Sequence, residues 1–336
     1  LLKRAQLKSC YFALMALLQM DRRLLRRIGR QRWLTVLNFH RISPHPDPFW
    51  PPLHPELFDD LLGFLKRHFE VTRFSDNGSP QRQRPRVILS FDDGYYDFVE
   101  YAMPILKRHG LPANQNIIPA CVESGQPPWM NRLYDFLNAA PRSLANDIQL
   151  DGFSHRVQGE EPAHKLRYGL ALSRFLKTRS RQERAPLWDA IEQVMAKADG
   201  AIPRTRMMRL DDLRSAALDH ELGVHSFSHE SMGFETNEFF LEDLANCRAF
   251  FEQQLRMPMT IYAFPNGSYR PEQISLLQAQ GVRHILLVDE RFARPGEQVY
   301  PRLTIYGDSR LETRFRALGY HIRAPIKIAG GALGEG

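Results

Sequence analysis

The stretch Ile88-Leu89-Ser90-Phe91-Asp92-Asp93-Gly94 decides how this chain is read. An apolar run ends there in two adjacent carboxylates and a glycine, the pattern of a buried β-strand giving way to a loop. Alone, the pattern also fits an ordinary turn, because Asp-Gly is a common turn dipeptide and paired acids at a strand end are often solvated. Far downstream, Val224-His225-Ser226-Phe227-Ser228-His229 supplies two imidazoles four residues apart, close enough in helical or turn geometry to grip one ion. An Asp and two His make a three-donor divalent-metal site with open positions, the arrangement of hydrolytic rather than structural zinc. The spare Asp is then free to act as a base toward water. The conjunction carries the reading; paired histidines alone also occur as caps or core groups.

Strand-like runs alternate with helical patterns around these two motifs. Leu34-Thr35-Val36-Leu37-Asn38-Phe39 reads as a buried strand ending at His40-Arg41. A Pro- and His-rich loop reaches Pro55, and a helix follows with Phe58, Leu61, Leu62 and Leu65 on its apolar face. The polar stretch 76–85 leads to a strand over 87–91, and helical spacing runs from Tyr95 to His109, stopped by Gly110. Short strands are expected over 116–118, 222–224, 261–264 and 284–288 and around Pro301-Arg302-Leu303. Helices are expected near 210–218, after Pro271, and along Phe240, Leu244, Cys247, Phe251 and Leu255. Residues 126–205 break the rhythm with helical patterns over 166–176 and 187–194, and read as a helical insertion over the site. Alternation on this scale predicts an α/β fold with a parallel sheet, open or closed into a barrel. The division expected is a basic amphipathic helical segment (1–33), one domain (34–325) holding the insertion, and a flexible tail (326–336).

The Phe91-Asp92-Asp93-Gly94 strand end and the His225-to-His229 pair together resemble the polysaccharide deacetylases, the NodB-homology group or carbohydrate esterase family four. The resemblance covers roughly residues 34–125 and 205–310. It implies a distorted (β/α)7 barrel with both motifs on neighbouring strand ends, at the C-terminal side where such sites form. It also implies that Asp92 is the general base and that Asp93, His225 and His229 hold a divalent ion, zinc or else cobalt, nickel or iron.

Two departures point to the exopolysaccharide-deacetylase branch. Many members carry Arg-Pro-Pro-Tyr-Gly in a third motif, whose Arg orients the base; here Tyr262-Ala263-Phe264-Pro265-Asn266-Gly267 is instead similar to the Phe-x-Tyr-Pro-x-Gly of that branch. The resemblance implies that the Asn266 N–H faces the reacting carbonyl, and the same residues also fit a plain turn. The usual C-terminal Leu-x-His is missing, and Phe39-His40-Arg41 looks like the N-terminal Tyr-His that replaces it. His40 would then protonate the departing amine, or else simply pack under the Pro-rich loop. Tyr300-Pro301-Arg302-Leu303 resembles the branch's Pro-Arg-Leu/Ile, which implies that Arg302 pairs with Asp92 and keeps it ionised. A surface arginine is the alternative.

The implied reaction removes N-acetyl groups from an amino-sugar glycan or a lipid-linked saccharide, releasing acetate. Tyr95, Tyr96, Trp129 and Tyr269 stand near the motifs and fit either sugar stacking or the core. Two rivals keep the scaffold: hydrolysis of another amide or formamide C–N bond, and a non-catalytic glycan-binding protein at a membrane.

Composition sets the outer limits. At 336 residues, with 43% hydrophobic and 25% charged residues, the chain has the make-up of an ordinary globular protein. The net charge of +7 is partly concentrated in residues 1–32, where Lys3, Arg4 and Lys8 precede Arg22, Arg23, Arg26, Arg27, Arg30 and Arg32. Such a cluster suits an anionic membrane surface or simply a solvated helix face; nucleic acid is not expected as a partner. The uncharged run 9–20 is too short to span a bilayer. Asp21 and arginines follow it instead of a cleavage site, so a cytoplasmic or peripheral inner-membrane location is expected over secretion. Residues 1–30 are expected to be dispensable for hydrolysis of a soluble substrate. Cys10, Cys121 and Cys247 are too few and scattered for a disulfide framework.

Overall fold

Nine strands and their helices are described in a computed structural model covering residues 2–76, 84–159, 161–198 and 202–322. The strands are β1 (Leu34–Phe39), β2 (Glu70–Val71), β3 (Arg86–Phe91), β4 (Asn114–Ile117), β5 (Glu221–Val224), β6 (Ile261–Ala263), β7 (His284–Leu287), β8 (Val299–Pro301) and β9 (Leu303–Thr304). Neighbours follow the order β8-β7-β6-β5-β4-β3-β1-β9, with β2 beside β3 off this path, and every pairing is parallel.

Only Arg302 separates β8 from β9. One continuous segment therefore pairs first with β7, Pro301 opposite Leu287, and then with β1, Leu303 opposite Leu37. That segment brings the two sheet edges together. The eight strands on the path are a nearly closed barrel, and because β8 and β9 share one segment they fill seven positions, the distorted (β/α)7 arrangement expected.

The strands are buried on both faces, as parallel strands with covering helices must be. Leu34, Val36, Ile88, Ile261, Leu286 and Tyr300 fill an apolar layer inside the barrel. The alternate residues Leu37, Phe39, Leu89, Phe91, Leu222 and Val224 face the surrounding helices in the main core. Gly223 is required by close packing: a Cβ there would lie 2.2 Å from Asn116 Oδ1.

The insertion lies between β4 and β5, which are themselves neighbours. Its helices Trp129–Ala139, Arg142–Asn146, Pro162–Lys177 and Arg181–Met195 enclose a satellite core of Leu133, Phe136, Leu137, Leu172, Leu176 and Ile191. Ser180 caps the last of them in a reciprocal capping box with Glu183.

The N-terminal segment forms two helices rather than the single helix expected: α1 (Leu2–Leu17) and α2 (Met20–Gln31), broken at Gln19, whose φ is +53°. Both pack on the body. On α1, Phe12 is buried against Phe315 and Tyr320, and Lys8 meets Glu312 at 2.8 Å. On α2, Ile28 is buried in the main core, and Trp33 beyond it stacks on Phe292 at 4.7 Å. Removal of residues 1–30 should therefore lower stability rather than leave a self-sufficient barrel. Phe12→Ala should cost about 3–5 kcal/mol and Ile28→Ala about 2–5 kcal/mol, read from urea unfolding; values near zero would restore the picture of an independent appendage. The expected tail 326–336 lies outside the described residues.

Candidate active site

The C-terminal ends of β3, β5, β6 and the β8–β9 segment bring their following residues to one mouth of the barrel. Asp92 follows β3, with its N–H donated to Phe39 O of β1 at 3.0 Å. Arg302 reaches it from the closing segment, Nη1 donating to Oδ1 at 2.8 Å and Nη2 to Oδ2 at 2.7 Å. This is a fork-on-fork pair, and Arg302 is wholly buried. The guanidinium is braced by Nε donating to Leu287 O at 3.1 Å and by Nη1 donating to Ser90 Oγ at 3.1 Å. Asn116 Nδ2 adds a third donor to Asp92 Oδ1 at 2.8 Å. Burial alone would raise the Asp92 pKa; the charge and hydrogen bonds of the Arg302 guanidinium outweigh it and hold the carboxyl well below the usual range.

Asp93, the next residue, turns the other way. It has φ +76° and Gly94 has φ +75°, so the chain leaves the strand through two left-handed residues. Asp93 Oδ1 lies 3.5 Å from His225 Nε2 and 3.3 Å from His229 Nε2. Neither contact has hydrogen-bond alignment, and the oxygen is a buried acceptor without a donor among the described residues. Donor atoms of the three side chains lie within 4.8 Å of one another, all buried.

The histidine loop is held from outside. His225 Nδ1 lies 2.9 Å from Ala263 O; a carbonyl only accepts, so that nitrogen carries the proton and Nε2 keeps its lone pair. Burial pushes the His225 imidazole down to about 4, against the pull of Asp92 and Asp93, which leaves it neutral at neutral pH. Both Asp243 oxygens accept the Phe227 N–H, at 3.0 and 3.1 Å. Glu230, next to His229, is paired with Arg184 of the insertion at 2.6 Å. The donor set suits a divalent ion: two buried imidazoles, one of them fixed from outside by Ala263 O, and one carboxylate oxygen left unsatisfied.

Backbone conformation singles out the same place. Among the described residues, Asp93, Ser226, His229 and Asn266 are four of the eight non-glycine residues with positive φ. Left-handed non-glycine residues cost of order 1–3 kcal/mol each, and half of them gather at this mouth.

His40 ends β1 beside this group. Burial lowers its pKa, Asp93 and Asp92 oppose the shift, and Arg302 and His229 add to it. The ring stands edge-on to Trp50 at 5.0 Å. Asn266 lies on the turn Pro265–Gly267 after β6, and its Nδ2 donates to Ser231 Oγ at 3.0 Å. Of the aromatic residues offered for sugar stacking, Tyr95 is a core residue, 1% exposed, its hydroxyl donating to Asn131 Oδ1 at 3.0 Å. Trp129 packs edge-on against Trp188, and Tyr269 lies tilted by 31° against Phe264.

Three contributions were not read from the sequence. Asn116 and Ser90 brace the Asp92–Arg302 pair; their signal was polar residues inside otherwise buried strands. Asn131 of the insertion holds Tyr95. Lys177, at the end of an insertion helix, comes within electrostatic reach of Asp93, and burial lowers its ammonium to about 8. Nothing in the local sequence of Lys177 marks it.

The family model for polysaccharide deacetylase matches residues 206–285. Residues 206–285 are therefore similar to the polysaccharide deacetylase family. The matched segment contains His225, His229 and the 263–267 turn; Asp92, Asp93, His40 and Arg302 lie outside it and join it through the geometry above. No curated protein matches the chain in sequence. Among solved structures, the deacetylase fold is shared with Streptococcus pyogenes deacetylase PplD in complex with acetate, at 15% identity over 85% of this chain and 98% of that one, TM-score 0.56. It is shared with IcaB from Ammonifex degensii, at 16% identity over 85% and 97%, TM-score 0.54. BC0361, a polysaccharide deacetylase from Bacillus cereus, aligns at 11% identity over 85% of this chain and 69% of that one, TM-score 0.52. Identities this low speak for the fold; any chemistry rests on the residues of this chain itself.

Proposed function

We propose that this chain is a metal-dependent carbohydrate N-deacetylase acting on an N-acetylated amino-sugar glycan or a lipid-linked saccharide. The observation that carries the reading is the juxtaposition of a forked, buried Asp92–Arg302 pair with the Asp93/His225/His229 donor group. One acid is kept ionised, and its neighbour is left to an ion.

In this reading Asp93, His225 and His229 hold a divalent ion, zinc in the first instance, which when bound supplies Lewis-acid polarisation of the acyl carbonyl and acidifies water. Asp92, fixed by Arg302 and Asn116, accepts a proton from the attacking water as its oxygen adds to the acetamide carbon. The Asn266 turn offers an N–H toward the developing oxyanion. The C–N bond then breaks with its electron pair on nitrogen, His40 supplies the proton that nitrogen takes up, and acetate and a free amino sugar leave.

Acetate release from N-acetylated oligosaccharides by the purified protein tests the reading directly, with formate release from small formamides as the comparison. Acetate only from the saccharide supports it; turnover of formamides alone would replace the substrate class. Asp93→Ala, His225→Ala and His229→Ala should each lose bound metal together with activity, measured by elemental analysis beside the assay. Full metal loading in all three would place the ion elsewhere.

A further inference from the structure

Helix α1 shows two unlike faces. Phe12 is buried and Lys8 is engaged with Glu312 on one side. On the other, Leu7, Tyr11, Leu14 and Leu18 follow one another at helical intervals and are 72%, 52%, 54% and 55% exposed, with Leu17 beside them at 79%. Five large apolar side chains in one exposed row exceed the scattered single residues that need no partner. Beyond the Gln19 break, the outer side of α2 and the residue after it expose Arg22, Arg23, Arg26, Arg27, Arg30 and Arg32. Among the described residues none of these six is ion-paired with a carboxylate; Arg22 turns to Gln19 and Arg27 lies over Trp33. Asp21 is the only acid in the first 32 residues.

We infer that α1 and the arginine row of α2 form a docking surface for an anionic lipid bilayer. An apolar row that enters the acyl boundary beside cations that meet lipid phosphates is how an interfacial helix binds. No helix among the described residues is long and apolar enough to cross a membrane, so the contact is with the surface. A second copy of the chain is the poorer occupant, since a self-complementary contact at this patch would bring arginines against arginines. The placement also sets orientation. Lys8 contacts Asp308 and Glu312, before and in the first turn of the helix Arg310–Ala317, and Phe12 contacts Phe315 near its end, so α1 runs beside that helix along the barrel wall. Docking through α1 lays the barrel on its side.

The test is co-sedimentation of the full chain with vesicles of phosphatidylcholine alone and of phosphatidylcholine mixed with phosphatidylglycerol. Binding to the mixed vesicles should be tighter by tenfold or more and should weaken with salt. The Leu7→Glu/Leu14→Glu variant and the Arg22→Glu/Arg23→Glu/Arg26→Glu variant should each lose most of that binding. The milder Leu14→Ser variant should lose part of it with unchanged thermal unfolding. Absent binding, equal binding to both vesicles, or full binding by the variants would overturn the inference. So would a dimer in light scattering that Leu7→Glu/Leu14→Glu abolishes. None of these readouts involves deacetylation, so the surface and the proposed reaction stand or fall separately.

Discussion

Asp92→Asn should reduce turnover by a factor of about 10³ or more while leaving bound metal in place, because only the proton acceptor is lost. The geometry makes the substitution doubly costly. Three N–H donors converge on the two Asp92 oxygens. An amide offers one oxygen to accept and sets its own NH₂ against the remaining donors. Arg302, wholly buried, is left without a counter-charge, and breaking one partner of such a pair typically costs about 3–5 kcal/mol. Activity and unfolding midpoint should fall together while elemental analysis shows metal retained. A metal-free Asp92→Asn beside a fully loaded Asp93→Ala would reverse the roles of the two acids.

His40→Ala should lower kcat by about 10²–10⁴-fold, the range of a positioned acid, again without release of metal. An amine is a poor leaving group unless protonated, so the loss should be much smaller on an ester substrate, whose alkoxide needs less help. His54 is occupied elsewhere: its Nδ1 accepts the Glu56 N–H and caps the helix that follows. His321, far along the chain, is paired with Glu290 at 2.8 Å. Near-normal amide turnover by His40→Ala would remove it from the chemistry and turn attention to Lys177, a further proton-bearing group brought toward Asp93.

The strands were the most legible part of the sequence, because residues buried on both faces leave uninterrupted apolar runs. Leu34–Phe39 appears with the bounds expected, and the strands holding Asp92 and His225 differ by a residue at one end. Less legible was the closing segment: a run of six residues broken by an inward-facing arginine does not look like a strand pairing on two sides. The Asp92–Arg302 partnership came from motif resemblance, since no spacing rule joins residues 210 apart. Tyr95, an aromatic beside a motif that fitted either stacking or the core, lies in the core with its hydroxyl on Asn131. The N-terminal segment was expected to be dispensable for hydrolysis of a soluble substrate because it lies outside the α/β alternation; how Phe12 and Ile28 anchor it to the body was not legible. Contributions from the insertion, Asn131, Lys177 and Arg184, depend on how a satellite core docks, and local periodicity carries no record of that.

The closing segment ties two properties together that are separable in most enzymes. The same six residues that join the barrel's edges deliver the cation that keeps Asp92 charged. A molecule whose final strand has frayed keeps the three atoms that would grip an ion, yet its base is buried without a counter-charge and retains only the Asn116 donor. Integrity of the fold is thus read out at the reacting centre: an incompletely closed molecule is silent rather than sloppy.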